Sequence, residues 1–135
     1  MITIETKYLG DLRTEARHVR SGKTLITDAP IDNQGKGEAF SPTDLLATSL
    51  GSCMMTLIGI AARNHNFNVG ITDARITKIM AENPRRVHEV IVEFNFGENN
   101  YSDKVKAIIE NAARTCPVAK SLHPDLKQTV IFNYH

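Results

Sequence analysis

The sequence predicts an α+β domain. Three observations carry that expectation: a capped, uncharged run long enough for a helix of roughly six turns, two strand-like segments joined by a short turn, and a second helix with apolar residues at helical spacing. At 135 residues the chain suits one domain spanning 1–135. It can bury a core without the help of a disulfide or a metal.

Residues 1–28 read as strands. Ile2, Ile4 and Leu9 flank polar residues, and Ser21-Gly22-Lys23 reads as a turn between two strands. A loop follows over 29–40. Its Gly35-Lys36-Gly37 piece is half of a nucleotide fingerprint. The third glycine, the preceding apolar strand and the Lys-Ser/Thr ending are all missing, so phosphate binding is not expected.

The long helix is expected over 42–64. Ser41 serves as N-cap, Pro42 fits the first helical position, and Asp44 completes a capping box in place of the usual glutamate. From Leu45 to Ala62 there is no charge. That run meets the minimum length of a membrane span. Thr48, Ser49, Gly51, Ser52, Thr56 and Gly59 make it too polar for one, and Asp44 and Arg63 bound it tightly. A helix buried on all sides is the better reading. Ala47, Gly51 and Gly59 share one line of small residues where another backbone can approach. A domain this small cannot readily surround such a helix, so a homodimer built around it is expected.

Ile71 to Met80 and Val87 to Phe96 read as a hairpin turning at Asn83-Pro84-Arg85-Arg86, with Val90, Val92, Phe94 and Phe96 on one face. Ser102 caps a second helix that runs to about Thr115. Pro117 opens a short third helix that ends before His123-Pro124. Val130, Ile131 and Phe132 alternate in a last strand.

Composition narrows the function. There are 16 basic and 15 acidic residues, and no basic block, which argues against nucleic acid as a partner. The residues from Met1 to Lys7 alternate in polarity and lack the apolar segment of a signal peptide, so a cytoplasmic protein is expected. Two cysteines in a reducing compartment are free thiols, and any disulfide between them is chemical rather than structural. Neither Cys53 nor Cys116 sits at metal-ligand spacing from His18, His65, His88, His123 or His135, so neither a metal nor a cofactor is expected. A Cys-His hydrolase would need a histidine and an orienting acid near Cys53, which the sequence neither supports nor excludes.

The two thiols differ locally. Cys53 lies mid-helix, where its own helix dipole gives little help, and it needs a cation from elsewhere in the fold. Cys116 precedes Pro117 at the start of the short helix, where free amides favour a thiolate, with Lys120 one turn on. Local chemistry therefore makes Cys116 the more acidic thiol. An inert buried pair is the plain alternative.

The run Ser41-Pro42-Thr43-Asp44-Leu45-Leu46-Ala47-Thr48-Ser49-Leu50-Gly51-Ser52-Cys53 and the later Cys116-Pro117-Val118-Ala119-Lys120-Ser121-Leu122 resemble one family. It comprises the osmotically inducible protein C and organic hydroperoxide resistance proteins (OsmC/Ohr), and the resemblance extends over nearly the whole chain. It implies strands wrapped around a long buried central helix in an intertwined homodimer. It implies a peroxidase that reduces small organic hydroperoxides, in which Cys53 attacks and Cys116 resolves the sulfenic acid, with a dithiol such as a lipoyl group restoring both thiols. It also implies an arginine that serves the attacking thiol: Arg13 matches best by spacing, and Arg20 is the fallback. Many members carry a glutamate ten residues before the first cysteine, which pairs with that arginine. Here the position is Thr43, followed by Asp44, and Glu38 is not promoted in its place. A less firmly held arginine and a slower reaction are the expected consequences. The rival from another class is a module that binds an apolar or thiol-reactive ligand without turnover.

Overall fold

The computed structural model describes residues 1–70 and 72–135. The chain divides into two compact units, Met1–Leu46 and Ala47–His135. The expected start of a strand at Ile71 lies outside the described residues.

In the first unit, β1 (Ile4–Gly10), β2 (Arg13–His18) and β3 (Thr24–Asp28) form an antiparallel sheet in that order. The β1–β2 turn puts three successive residues, Gly10, Asp11 and Leu12, at positive φ. Asp11 and Leu12 have side chains that disfavour this region. The loop after β3 makes one short 3-10 turn, Ile31–Asn33, and folds back on itself. Gly37 donates to the Ala29 carbonyl at 3.2 Å, and the Asp28 amide donates to Phe40 at 3.0 Å. A side chain at Gly35 would collide with the Ala29 backbone, and Gly37 has φ +61°. The two glycines of the Gly-Lys-Gly piece therefore serve loop closure.

Helix α1 (Pro42–Asn64) starts as its sequence predicts. The Asp44 amide donates to Ser41 Oγ at 3.0 Å, and the Ser41 amide donates to Asp44 Oδ2 at 2.9 Å. This is a reciprocal capping box closed by aspartate.

In the second unit, β4 (Thr72–Ala81) pairs antiparallel with β5 (Arg86–Phe96), and β5 pairs in parallel with β6 (Lys127–Asn133). The crossover between β5 and β6 carries α2 (Asp103–Arg114) and α3 (Pro117–Ser121). Ser102 caps α2 by accepting from the Val105 amide. The inner face of β5 is the expected one: Val90, Val92, Phe94 and Phe96 are buried. Phe94 stacks on Phe132, and Phe96 stacks on Tyr134. Tyr101 donates to the Asn68 and Val69 carbonyls and so secures the segment that follows α1.

A single chain covers α1 unevenly. Ala47, Leu50, Gly51, Met54, Ile58 and Ala62 are buried along one stripe, while Ser49, Ser52, Thr56, Gly59 and Ile60 are exposed. One chain therefore covers one side of the helix and not its whole circumference. Within one chain the line of small residues meets a side chain rather than a backbone. Gly51 makes room for the Ile76 side chain, with Val92 beside it, whereas nothing lies within 4 Å of where a side chain at Gly59 would begin.

The core face of β5 sets the first prediction. Phe94→Ala removes a fully buried ring and is expected to cost about 3–5 kcal/mol of stability. Ile79→Ala, at a half-exposed position on β4, is expected to cost less than about 1 kcal/mol. Urea unfolding followed by far-ultraviolet circular dichroism checks the contrast; equal losses would show that the ring does not anchor the core.

Candidate functional site

Cys116 is placed by two adjoining helix ends. Helix α2 stops at Arg114 with Thr115 as C-cap, and the next residue is the N-cap of α3. Pro117 fixes the first helical position. The Cys116 backbone is extended, and its Sγ accepts from the Ala119 amide at 3.3 Å. The side chain is fully buried.

Cys53 lies mid-way along α1 and is half-buried. Met54, its neighbour on the helix, belongs to the buried stripe, so Cys53 sits at that stripe's margin. Both cysteines are free, and Cys53 neighbours the Cys116 thiol. The second unit thus joins two thiols that the sequence separates by 62 residues.

The acidity expected of Cys116 from its helix position is not what the structure gives. Burial pushes the Cys116 thiol above its ordinary range. The Ala119 amide acts in the opposite direction, and the neighbouring Cys53 raises it again. Desolvation disfavours the charged form, and here it exceeds what one short helix end supplies. Lys120 is exposed. Burial thus favours the protonated form of Cys116.

Arg13 belongs to the first unit, at the start of β2. Its Nε donates to Asp28 Oδ1 at 2.7 Å, its Nη2 to Asp28 Oδ2 at 2.9 Å, and Nη2 also to Glu38 Oε1 at 3.2 Å. Asp28 is 1% exposed and also accepts from the Glu38 amide at 3.1 Å. The expectation of a loosely held arginine is therefore overturned: two carboxylates hold it, one through a bidentate fork. Asp28 was missed in the sequence, although Arg13 and Asp28 face each other across the β2–β3 register. A cross-strand pair of opposite charges was the available signal. Thr43 Oγ1 lies 3.2 Å from Ser41 Oγ, and Asp44 serves the cap. Arg20 is exposed in the β2–β3 turn. The Asp28 hydrogen bonds raise the Arg13 guanidinium above its ordinary value, and the Arg13 fork holds the Asp28 carboxyl below its own. Among the described residues no group of three or more His, Cys, Asp or Glu could hold a metal ion.

A long central helix, two small sheets and a pair of neighbouring thiols define an α+β protein of the OsmC-like class. Residues 35–130 match the family model described as OsmC-like protein, and the chain belongs to the OsmC family. A solved structure from Psychrobacter arcticus 273-4 is 56% identical, with a TM-score of 0.94 over 98% of this chain and 96% of the other. It is described as a candidate osmotic stress induced and detoxification response protein. An OsmC-like protein from Mycoplasma pneumoniae shares the fold at 18% identity, with a TM-score of 0.81 over 98% and 96% of the two chains. An organic hydroperoxide resistance protein from Elizabethkingia anophelis, solved with crystallant-derived thiocyanate bound, shares it at 15% identity, with a TM-score of 0.74 over 100% and 98%. Among curated proteins none matches this sequence.

The buried fork makes stability depend on pH in a definite direction. Asp28 is held below its ordinary value, so its contribution is fully present above about pH 4 and is lost as pH falls through the lowered value. Asp28→Asn is expected to lower the midpoint of thermal unfolding at pH 7 and to flatten its decline between pH 4 and pH 2. Melting curves across that range check it; parallel curves for the two proteins would remove the fork from the stability of the first unit.

Proposed function

We propose that the chain is a thiol peroxidase that reduces small organic hydroperoxides. The observation that carries this reading is that Cys53, midway along α1, neighbours Cys116 at the start of α3, and both are free thiols. Sulfur of Cys53 attacks the terminal oxygen of the hydroperoxide. The O–O bond breaks, an alcohol leaves with the proton, and Cys53 becomes a sulfenic acid. Cys116 then attacks that sulfur, its proton leaves with the sulfenic oxygen as water, and a disulfide forms. An external dithiol, of the lipoyl type by family likeness, returns both thiols by exchange.

The roles follow from access and protonation. Cys53 is half-buried and can meet a peroxide, whereas Cys116 is fully buried, which favours its protonated form. Only the attacking sulfur must reach the substrate, and the resolving sulfur needs only to reach Cys53. By family likeness, Arg13 is the arginine that serves the attacking thiol. Its fork to Asp28 keeps that guanidinium charged and fixed in orientation. The protein is further proposed to act in the cytoplasm as a homodimer. Ile60 on α1 is 47% exposed in a single chain, on a face of small residues that a second copy would cover.

Two experiments test this reading. Cys53→Ser is expected to abolish consumption of an alkyl hydroperoxide. Cys116→Ser is expected to complete one turnover and leave a sulfenic acid that dimedone traps. A Cys116→Ser protein dead from the first turnover, beside an active Cys53→Ser, would reverse the roles. Sedimentation at micromolar concentration is expected to give twice the 15.0 kDa of one chain, and a clean monomer would remove the dimer.

A further inference from the structure

The guanidinium of Arg13 is engaged on one edge and open on the other. Its Nε and Nη2 give Asp28 a side-on pair of hydrogen bonds at 2.7 and 2.9 Å. Nη2 gives its second hydrogen bond to Glu38 at 3.2 Å. Among the described residues no acceptor bonds to Nη1. We propose that this open edge is a binding site for a small organic monocarboxylate, which takes the place of Glu38. The peroxidase reading uses the same arginine, but the site needs neither cysteine nor peroxide, so either proposal can fail alone.

The two carboxylates that hold Arg13 are not equivalent. The Asp28 side chain is 1% exposed, accepts both bonds of the side-on pair, and accepts a third from the Glu38 amide at 3.1 Å. Releasing it would strand a buried charge, which is costly. The Glu38 side chain is 65% exposed and accepts one bond. Water receives it on release, and an exposed ion pair contributes little. Asp28 is the permanent partner and Glu38 the exchangeable one.

The ligand class follows from the donors left over. Once Glu38 swings away, Nη1 and Nη2 present two parallel N–H groups, an end-on fork that matches the two oxygens of one carboxylate. The ligand then accepts two bonds where Glu38 accepts one. Arg13 carries a permanent charge and its side chain is 31% exposed, so an anion reaches it from solvent. Lys36, paired with Asp11 at 4.0 Å, adds a second cation close by in the chain. The ligand replaces a group of charge −1 and stands beside Asp28. A dianion such as sulfate would meet that carboxylate with twice the repulsion. Leu12, Ile31 and Phe40 of the adjoining turn and loop are exposed apolar side chains, which favours an alkyl body behind the carboxylate.

The test titrates the reduced, ¹⁵N-labelled full chain with sodium hexanoate at constant ionic strength and pH 7, followed by nuclear magnetic resonance. The expected result is a saturable shift of the Arg13 Nε–H and Glu38 amide signals, with no saturation by sulfate over the same range. Glu38→Gln keeps the amide that Asp28 uses but removes the competing charge. It is expected to bind hexanoate about five-fold more tightly. Arg13→Lys keeps a cation beside Asp28 but has no fork, and saturation should be lost. Three results would overturn the proposal: equal affinity in wild type and Glu38→Gln, sulfate bound as tightly as hexanoate, or saturation retained in Arg13→Lys. Consumption of cumene hydroperoxide is followed in parallel. Hexanoate binding by a protein that consumes no peroxide would sink the peroxidase reading and leave this one standing.

Discussion

The position of Cys53 depends on how closely α1 can lie on the β4–β5 layer. At Gly51 there is no side chain, and the Ile76 side chain occupies that space with Val92 beside it. The buried stripe from Ala47 to Ala62 shares the interior of the second unit with Val90, Val92, Phe94 and Phe96 of β5. A larger residue at 51 would collide with the end of the Ile76 side chain, which would have to shift. Cys53, two residues on, sits where that packing ends. Its partial burial is a consequence of the stripe's width, and its meeting with Cys116 is a consequence of the stripe's placement.

Much of the local structure was legible because its causes are local. Ser41 and Asp44 cap α1, Ser102 caps α2, and Cys116 with Pro117 starts α3, each through bonds within one turn of the chain. The alternation of Val90, Val92, Phe94 and Phe96 named the inner face of β5 before any partner was known. What failed depended on distant residues. The acidity expected of Cys116 rested on a helix end that is visible in sequence and not on a burial that is invisible there. The role of Asp28 required the register of a hairpin, and that of Gly35 required the return path of a loop. The cysteine pairing was available only through the family resemblance, since nothing in the spacing of 62 residues indicates contact.

The high proton affinity of Cys116 fits a thiol that acts second. A buried thiol that ionised readily would be a second target for oxidant and would escape the sequence of steps. Burial withholds its charge in the resting state, while the Ala119 amide stays aimed at the sulfur. In the proposed peroxidase cycle, charge developing on Cys116 during attack on a sulfenic acid, or during release from a disulfide, would strengthen the hydrogen bond from that amide. The opposing influences on one sulfur thus act at different moments, with desolvation governing the ground state and the hydrogen bond favouring the state in which sulfur becomes negative.

Arg13 shows a related separation of roles. A free guanidinium would project a full positive charge, but this one is forked to a buried Asp28 and touches Glu38. Glu38 is 65% exposed, so solvent weakens its share. Asp28, at 1% exposure, offsets the arginine's charge at close range. Seen from any distance, the pair is closer to a dipole than to a cation. What the fork preserves is direction: a planar donor set whose orientation is fixed by two parallel bonds. The carboxylates of β3 and the following loop therefore explain how this chain keeps an ordered arginine with threonine at position 43. They also limit what that arginine can do, which is to donate hydrogen bonds along fixed lines rather than to act as a long-range positive charge.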